Sequence, residues 1–130
     1  MSNREDQEGV VKHAGEVPGQ DVAAGTETWF QVLLGPADGA PNFAMRRFAM
    51  GEGGGMPLHT NTVEHQQFVL CGRAEVGIGD QVHEVEPGCV VFIPAGVPHY
   101  YRVLEAPFEF LCMVPNGPDA VEILDSGQDP

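Results

Sequence analysis

Basic side chains are scarce in this chain. Six Lys and Arg stand against 19 Asp and Glu, a formal net charge of −13 over 130 residues. No Lys/Arg cluster is present to displace the counterions of a phosphate backbone, so nucleic acid is not an expected partner. Cysteine is also sparse: Cys71, Cys89 and Cys112, an odd number with no CxxC pair. That argues against a disulfide framework and fits a reducing compartment. Each lies in an apolar run (VLCG, GCVVF, FLCMV), where a cysteine serves as a small core residue. No apolar run reaches the ~18 residues of a membrane span. The opening MSNREDQEGV holds no apolar segment of the signal-peptide kind. The expectation is a cytoplasmic protein with no membrane partner. A helical period is missing too: nothing between residues 28 and 115 repeats apolar residues at 3.6 over a helix's length.

What the chain does have is punctuation, with 17 Gly and 11 Pro. From residue 28 it reads as apolar runs closed by Gly, Pro or Asp: TWFQVLLG, NFAMRRFAM, LHTN, HQQFVLCG, AEVGIG, QVHEVEPG, CVVFIPAG, PHYYRVL and FEFLCMVP. Short runs at a spacing of about 8–12 residues predict an all-β sandwich or barrel. The excess negative charge is concentrated at the ends. Residues 1–27 and 116–130 carry 10 acids and 2 bases, a net of −8; residues 28–115 carry 9 and 4, a net of −5. The expected organisation is a polar N-terminal arm over 1–27, in which GVVKH could form a peripheral strand, a single barrel over 28–115, and an acidic tail over 116–130. A short turn of helix is a weak possibility at DAVEILD. GEGGGMP lacks the Gly-Lys-Ser/Thr ending of a phosphate loop and reads as a flexible turn at a barrel rim.

Five histidines are present. His13 falls in the arm, and His83 in QVHEVE reads as an exposed strand position. In HTNTVEH, His59 and Asn61 share one side of a strand, and a short turn returns His65 on the next. His99 follows PAGVP and opens another strand at a loop mouth. Each alone reads as a barrel histidine satisfied by its neighbours. Together they point to a ligand set, because imidazole nitrogens suit Zn, Cu, Fe and Ni and three ligands leave positions open for chemistry. Glu64 alternates away from His65 and is not counted.

The spacing of these residues resembles the two motifs of the cupins. The first runs Gly, five residues, His-x-His, three or four residues, Glu, six residues, Gly. Here Gly53, His59, Asn61, His65 and Gly72 stand at those intervals. The second runs Gly, five residues, Pro-x-Gly, two residues, His, three residues, Asn. Here Gly88, Pro94, Gly96, His99 and Val103 do so. Fifteen residues separate the motifs, as in compact microbial cupins. Asn61 replaces a histidine, His65 the usual glutamate, and Val103 the usual asparagine. The resemblance implies a single-domain jelly-roll β-barrel that holds a divalent transition metal (Fe, Ni, Zn, Mn or Cu). His59, His65 and His99 would be its ligands, with Asn61 a weak fourth ligand or a group that orients water or substrate.

Alternation assigns the rest of the pocket. Tyr101 and Val103 share the face of His99, and Gln67 and Val69 that of His65. Tyr101 and Gln67 are the expected hydrogen-bonding or proton-transfer groups. Arg47, on the face of Phe43 and Met45, is the arginine expected to turn inward toward an anion, with Arg46 outward. Phe108, Phe110 and Cys112 form an apolar wall. Plain barrel packing would place the same residues on the same faces. The expected function is a small metalloenzyme of dioxygenase, isomerase or cyclase type acting on a small organic molecule. The alternative is a non-catalytic binder of such a molecule with a degenerate metal site. A homodimer is expected, because TWFQVLLG would leave a long apolar edge strand open on a monomer.

Overall fold

The computed structural model describes residues 8–124. Eight strands follow in chain order: β1 (Gln20–Asp21), β2 (Thr26–Leu34), β3 (Phe43–Asn61), β4 (His65–Ile78), β5 (Gln81–Val85), β6 (Val90–Ile93), β7 (His99–Pro115) and β8 (Val121–Ile123). All pairings are antiparallel. The order is β1-β2-β3-β7-β4-β5, with β6 on β4 and β8 on β3. The strands wrap into a jelly-roll barrel.

Several of the short runs join into long bent strands. NFAMRRFAM and LHTN lie in β3, HQQFVLCG and AEVGIG in β4, and the last two runs in β7. GEGGGMP is therefore not a separate rim loop. It runs inside β3, where the register against β7 shifts between Met50 and Gly55. Such an irregularity lets one strand serve two parts of a barrel. At the bend of β4, Gly72 has φ +80°, and a Cβ there would stand 2.1 Å from the carbonyl oxygen of Pro107. Only glycine permits that approach of β4 to β7.

The interior follows period-2 alternation. In β4, His65, Gln67 and Val69 are buried while Gln66, Phe68 and Leu70 are exposed. The core gathers Met50, Val69, Val76, Ile93, Phe108, Phe110 and Cys112. Of the three cysteines only Cys112 is fully buried; Cys71 and Cys89 are half-buried, and all three are free thiols.

The ends of the chain depart from expectation. GVVKH forms no strand; among the described residues of the arm the strand ahead of β2 is β1, paired with Trp29 and Phe30 of β2. The arm is held to the barrel by Gln31, whose Nε2 donates to the carbonyls of Ala14 and Val17 at 2.9 and 2.8 Å. The described part of DAVEILD, residues 119–124, holds a strand and no helix: β8 adds to the end of β3 with Val121 opposite Asn61 and Ile123 opposite His59. The expected boundary at residue 116 thus cuts off a strand of the sheet. Residues 125–130 of the expected tail lie outside the described residues.

Candidate functional site

β3 and β7 bring His59 and His99 together as register partners, with ring centroids 4.1 Å apart. The turn before His99 is pinned: the backbone N–H of Gly96, at φ +79°, donates to the carbonyl of Asn61 at 2.8 Å. β4 begins at His65, whose ring lies 6.0 Å from that of His99. His59, Asn61, His65 and His99 are all buried. With Arg46, Gln67, Tyr101, Phe110 and others they line a cavity of about 150 Å³. An apolar cavity of about that size accepts a benzene ring. Asp119 and Val121 also line it and are exposed, so the cavity reaches solvent beside β8.

Each imidazole is oriented by the nitrogen it turns away. His59 Nδ1 lies 2.7 Å from the carbonyl of Pro57, and His99 Nδ1 lies 3.0 Å from that of Val97. A carbonyl only accepts, so Nδ1 carries the proton in both and Nε2 keeps its lone pair. His65 Nδ1 sits 3.5 Å from Cys112 Sγ, while its Nε2 is buried with no protein partner among the described residues. Burial lowers all three pKa values. His65 falls to about 4 through burial and then the Arg46 charge, and His99 to about 4 through burial and then His59. The three rings are therefore neutral at pH 7.

Asn61 is held by a residue that sequence reasoning missed. Asp119 Oδ2 accepts from Asn61 Nδ2 at 3.2 Å, while its Oδ1 accepts from the Thr62 backbone N–H at 2.9 Å. A carboxylate can only accept here, so the amide nitrogen must face it and Oδ1 faces elsewhere. That Oδ1 is buried without a partner. The donors thus comprise three neutral imidazoles and one amide oxygen. Hydrogen bonding of Nδ1 to a backbone carbonyl is the usual support of a metal-binding histidine, so the donor chemistry fits a divalent transition metal. The arrangement is nevertheless open: among the described residues no three His, Cys, Asp or Glu side chains close into a metal cage.

The lining next to the histidines is aromatic, with Tyr101 set edge-on to His99 at 6.0 Å. Phe30, Phe48, Phe110 and Tyr101 stack in sequence at centroid distances of 5.4, 5.2 and 5.3 Å, with interplanar angles no larger than 18°. The Tyr101 hydroxyl accepts from Gln67 Nε2 at 2.6 Å, and burial pushes its phenol well above the ordinary value. It stays protonated, and its own hydrogen is left to donate.

The structure places Phe110, Gln67 and Tyr101 on the cavity as expected, and Phe108 and Cys112 in the core behind it. Four expected contacts are corrected. β3 turns Ala44, Arg46, Phe48 and Met50 inward, which reverses the two faces. Arg47 points outward, donating to Gln31 Oε1 and pairing with Glu109 at 2.7 Å. Phe43 and Met45 share that outer face, with Phe43 60% exposed. Val103 keeps the register of His99 and Tyr101 against β4 and packs against the core opposite Ala74, but it does not line the cavity. Besides Asp119, sequence reasoning missed Arg46, Phe30 and Phe48. The alternation of Val121 and Ile123 is the only trace in the sequence of the strand that brings Asp119 to the site.

The sequence pattern of the cupin domain matches residues 46–114, and the chain belongs to that family. It is similar to the solved structure of the polyketide cyclase RemF from Streptomyces resistomycificus, at 29% identity and TM-score 0.83 over 95% of this chain and 90% of that one. A cupin-2 domain protein from Rhodospirillum rubrum aligns at 25% identity and TM-score 0.76 over 93% and 84%. A cupin 2 domain-containing protein from Halorhodospira halophila aligns at 32% identity and TM-score 0.69 over 75% and 70%. No curated protein matches the sequence. No helix among the described residues is long and apolar enough to cross a membrane.

Proposed function

We propose that this cupin is a metal-dependent enzyme of the cyclase type, acting on a planar aromatic or polyketide-derived molecule. The observation that carries the reading is one cavity with two chemistries. Three neutral imidazoles and the unpartnered Asn61 Oδ1 stand at one end, and four stacked rings form the wall. The similarity to a polyketide cyclase over nearly the whole chain favours cyclisation over the dioxygenase and isomerase chemistries of other cupins. His59, His65 and His99 would hold the metal. When bound, it supplies Lewis acidity to a carbonyl or enol oxygen. The stacked rings hold the substrate's plane and exclude water. Asn61 Oδ1 accepts a hydrogen bond from a substrate hydroxyl, and Tyr101 donates its phenolic proton to a forming alkoxide.

The non-catalytic alternative draws on a separate observation: an amide replaces one imidazole, and the rings do not close into a cage. One set of measurements separates the two. Metal content of the purified protein, and turnover of a linear poly-β-ketone, are compared between the wild type, His99→Ala and Asn61→His. The enzyme reading expects about one metal per chain, loss of metal and turnover in His99→Ala with the barrel intact, and tighter metal binding in Asn61→His. A protein that binds aromatic ligands without metal and without turnover returns the alternative.

A homodimer belongs to the same proposal. β1 covers β2 only at Trp29 and Phe30, which leaves the outer edge of β2 beyond Phe30 without a strand partner among the described residues. Open edges of this kind pair with another copy. A single monomeric species in sedimentation at micromolar concentration counts against it.

A further inference from the structure

Among the described residues the basic side chains of this acidic protein are paired with carboxylates, with one exception. Lys12 pairs with Asp38, Arg47 with Glu109, Arg73 with Glu84 and Glu105, and Arg102 with Glu75. Among the described residues only Arg46 has no carboxylate partner, although the chain offers 19 acids. Arg46 is also the one that lines the cavity. Its Nε is buried without a hydrogen-bond partner, and its Nη2 reaches only Cys112 Sγ at 3.5 Å. A thiol sulfur is a weak acceptor and not a counterion. A buried charged donor left unmatched is costly. The guanidinium meanwhile sits 5.0 Å over the ring of Phe48, in the middle of the aromatic wall.

We propose that Arg46 is the anion subsite of this cavity, taking the carboxylate of a planar aromatic acid whose ring lies along Phe48 and Phe110. A guanidinium matches a carboxylate by its planar fork and keeps its charge at every working pH. The lining carries one other charge, the Asp119 carboxylate, which is exposed at the β8 mouth and already accepts from Asn61 and Thr62, so Arg46 is the single positive group of the cavity and suits a singly charged anion. The Phe48 and Phe110 rings stack on each other, 5.2 Å apart and 9° from parallel, and both line the cavity, giving an apolar side against which an aromatic ring attached to that carboxylate can pack. About 150 Å³ holds one aromatic ring, and a second fused ring extends past β8 toward solvent. The proposal deepens the reading of this cavity as a ligand site and assigns its specificity for charge.

The test is titration calorimetry with 2-naphthoate and its neutral amide, on chelator-treated and on zinc-loaded protein. The wild type is expected to prefer the acid by at least about tenfold, which corresponds to ~1.4 kcal/mol, in both preparations. Arg46→Gln loses that preference while amide binding is retained. Arg46→Lys keeps part of it, and Arg47→Gln, whose partner lies on the outer face, keeps all of it. If Arg46→Gln does not fold by denaturant titration, Arg46→Met, which retains the apolar stem, replaces it. A preference that survives the loss of Arg46 but requires zinc overturns the proposal and leaves the metal reading standing. A preference that depends on Arg46 in a protein that binds no zinc does the reverse. Failure of 2-naphthoate to bind at millimolar concentration also overturns the proposal.

Discussion

Arg46 and Arg47 are adjacent in β3 and live on opposite faces of it. Arg47 looks outward into a set of partners: Glu109 at 2.7 Å, Gln31 Oε1 at 2.8 Å, and the Trp29 ring 5.6 Å from the guanidinium carbon. Arg46 looks inward onto Phe48 and a thiol, with its Nε unmatched. The outer face of β3 is finished chemistry, in which each polar group has found a neighbour. The cavity side stops short of that at Arg46 Nε and Asn61 Oδ1 of β3 and at His65 Nε2 of β4. Buried polar groups in folded proteins are almost always satisfied. Three exceptions in one cavity mark where the fold has given up stability to leave groups available, and their signs differ: Arg46 Nε donates, Asn61 Oδ1 accepts, and His65 Nε2 takes either role with its tautomer.

If that contrast is right, perturbations of the inner face divide into those that cost stability and those that cost binding, while the outer face gives only small stability effects. Phe110 lies fully buried between Phe48, Phe108 and Tyr101. Phe110→Ala should cost about 3–5 kcal/mol in urea unfolding, and a loss below ~1.5 kcal/mol would mean the aromatic wall is not part of the packed core. The next effect is acid sensitivity. His65 and His99 have pKa values near 4 in the fold and about 6.5 when unfolded. Between those values the unfolded chain binds more protons. Stability of the metal-free protein is therefore complete above about pH 6.5 and lost as the pH falls toward 4, by about 3 kcal/mol per histidine. His99→Asn should remove roughly half of that slope, and a pH-independent stability from 7 to 4.5 would contradict the burial of neutral rings.

Two smaller effects sharpen the same contrast. Asp119→Ala frees Asn61 Nδ2 and lets the amide turn, so affinity for zinc, measured by chelator competition, should fall by about tenfold. Asp119→Asn, which can donate as well as accept, should lie between. The outer-face counterpart is the smallest: Arg47→Gln breaks a part-exposed ion pair and a ring contact and should cost about 1 kcal/mol in stability, with zinc affinity unchanged. A loss of zinc binding in Arg47→Gln would show that the two faces are not independent.

Much of the cavity was legible because a strand has period two. Once His65 was known to face inward, Gln67 and Val69 followed, and His99 carried Tyr101 with it. The same rule failed in β3, where it gives two faces and not which is inside. Both carry apolar residues: Phe43, Met45 and Ala49 on one, Ala44, Phe48 and Met50 on the other. Composition could not choose between them, so Arg47 was expected where Arg46 stands. Val103 failed for another reason: alternation from His99 holds and Val103 packs against the core opposite Ala74, but sharing a face of β7 does not by itself place a residue on the cavity.

By itself the sequence determined the strands, the turn glycines and the intervals that align His59, His65 and His99, since these rest on local periodicity and backbone freedom. It determined the family as well, through motifs whose glycines occupy positions closed to other residues, Gly72 against Pro107 among them. Only the tertiary structure decided which side of β3 is inside, because that depends on the packing of Phe48 against Phe30 of β2 and Phe110 of β7. Only it brought Asp119, 58 residues away, to fix Asn61. And only it left Arg46 without a partner, because whether a charge is paired is a property of what surrounds it in space and has no signature along the chain.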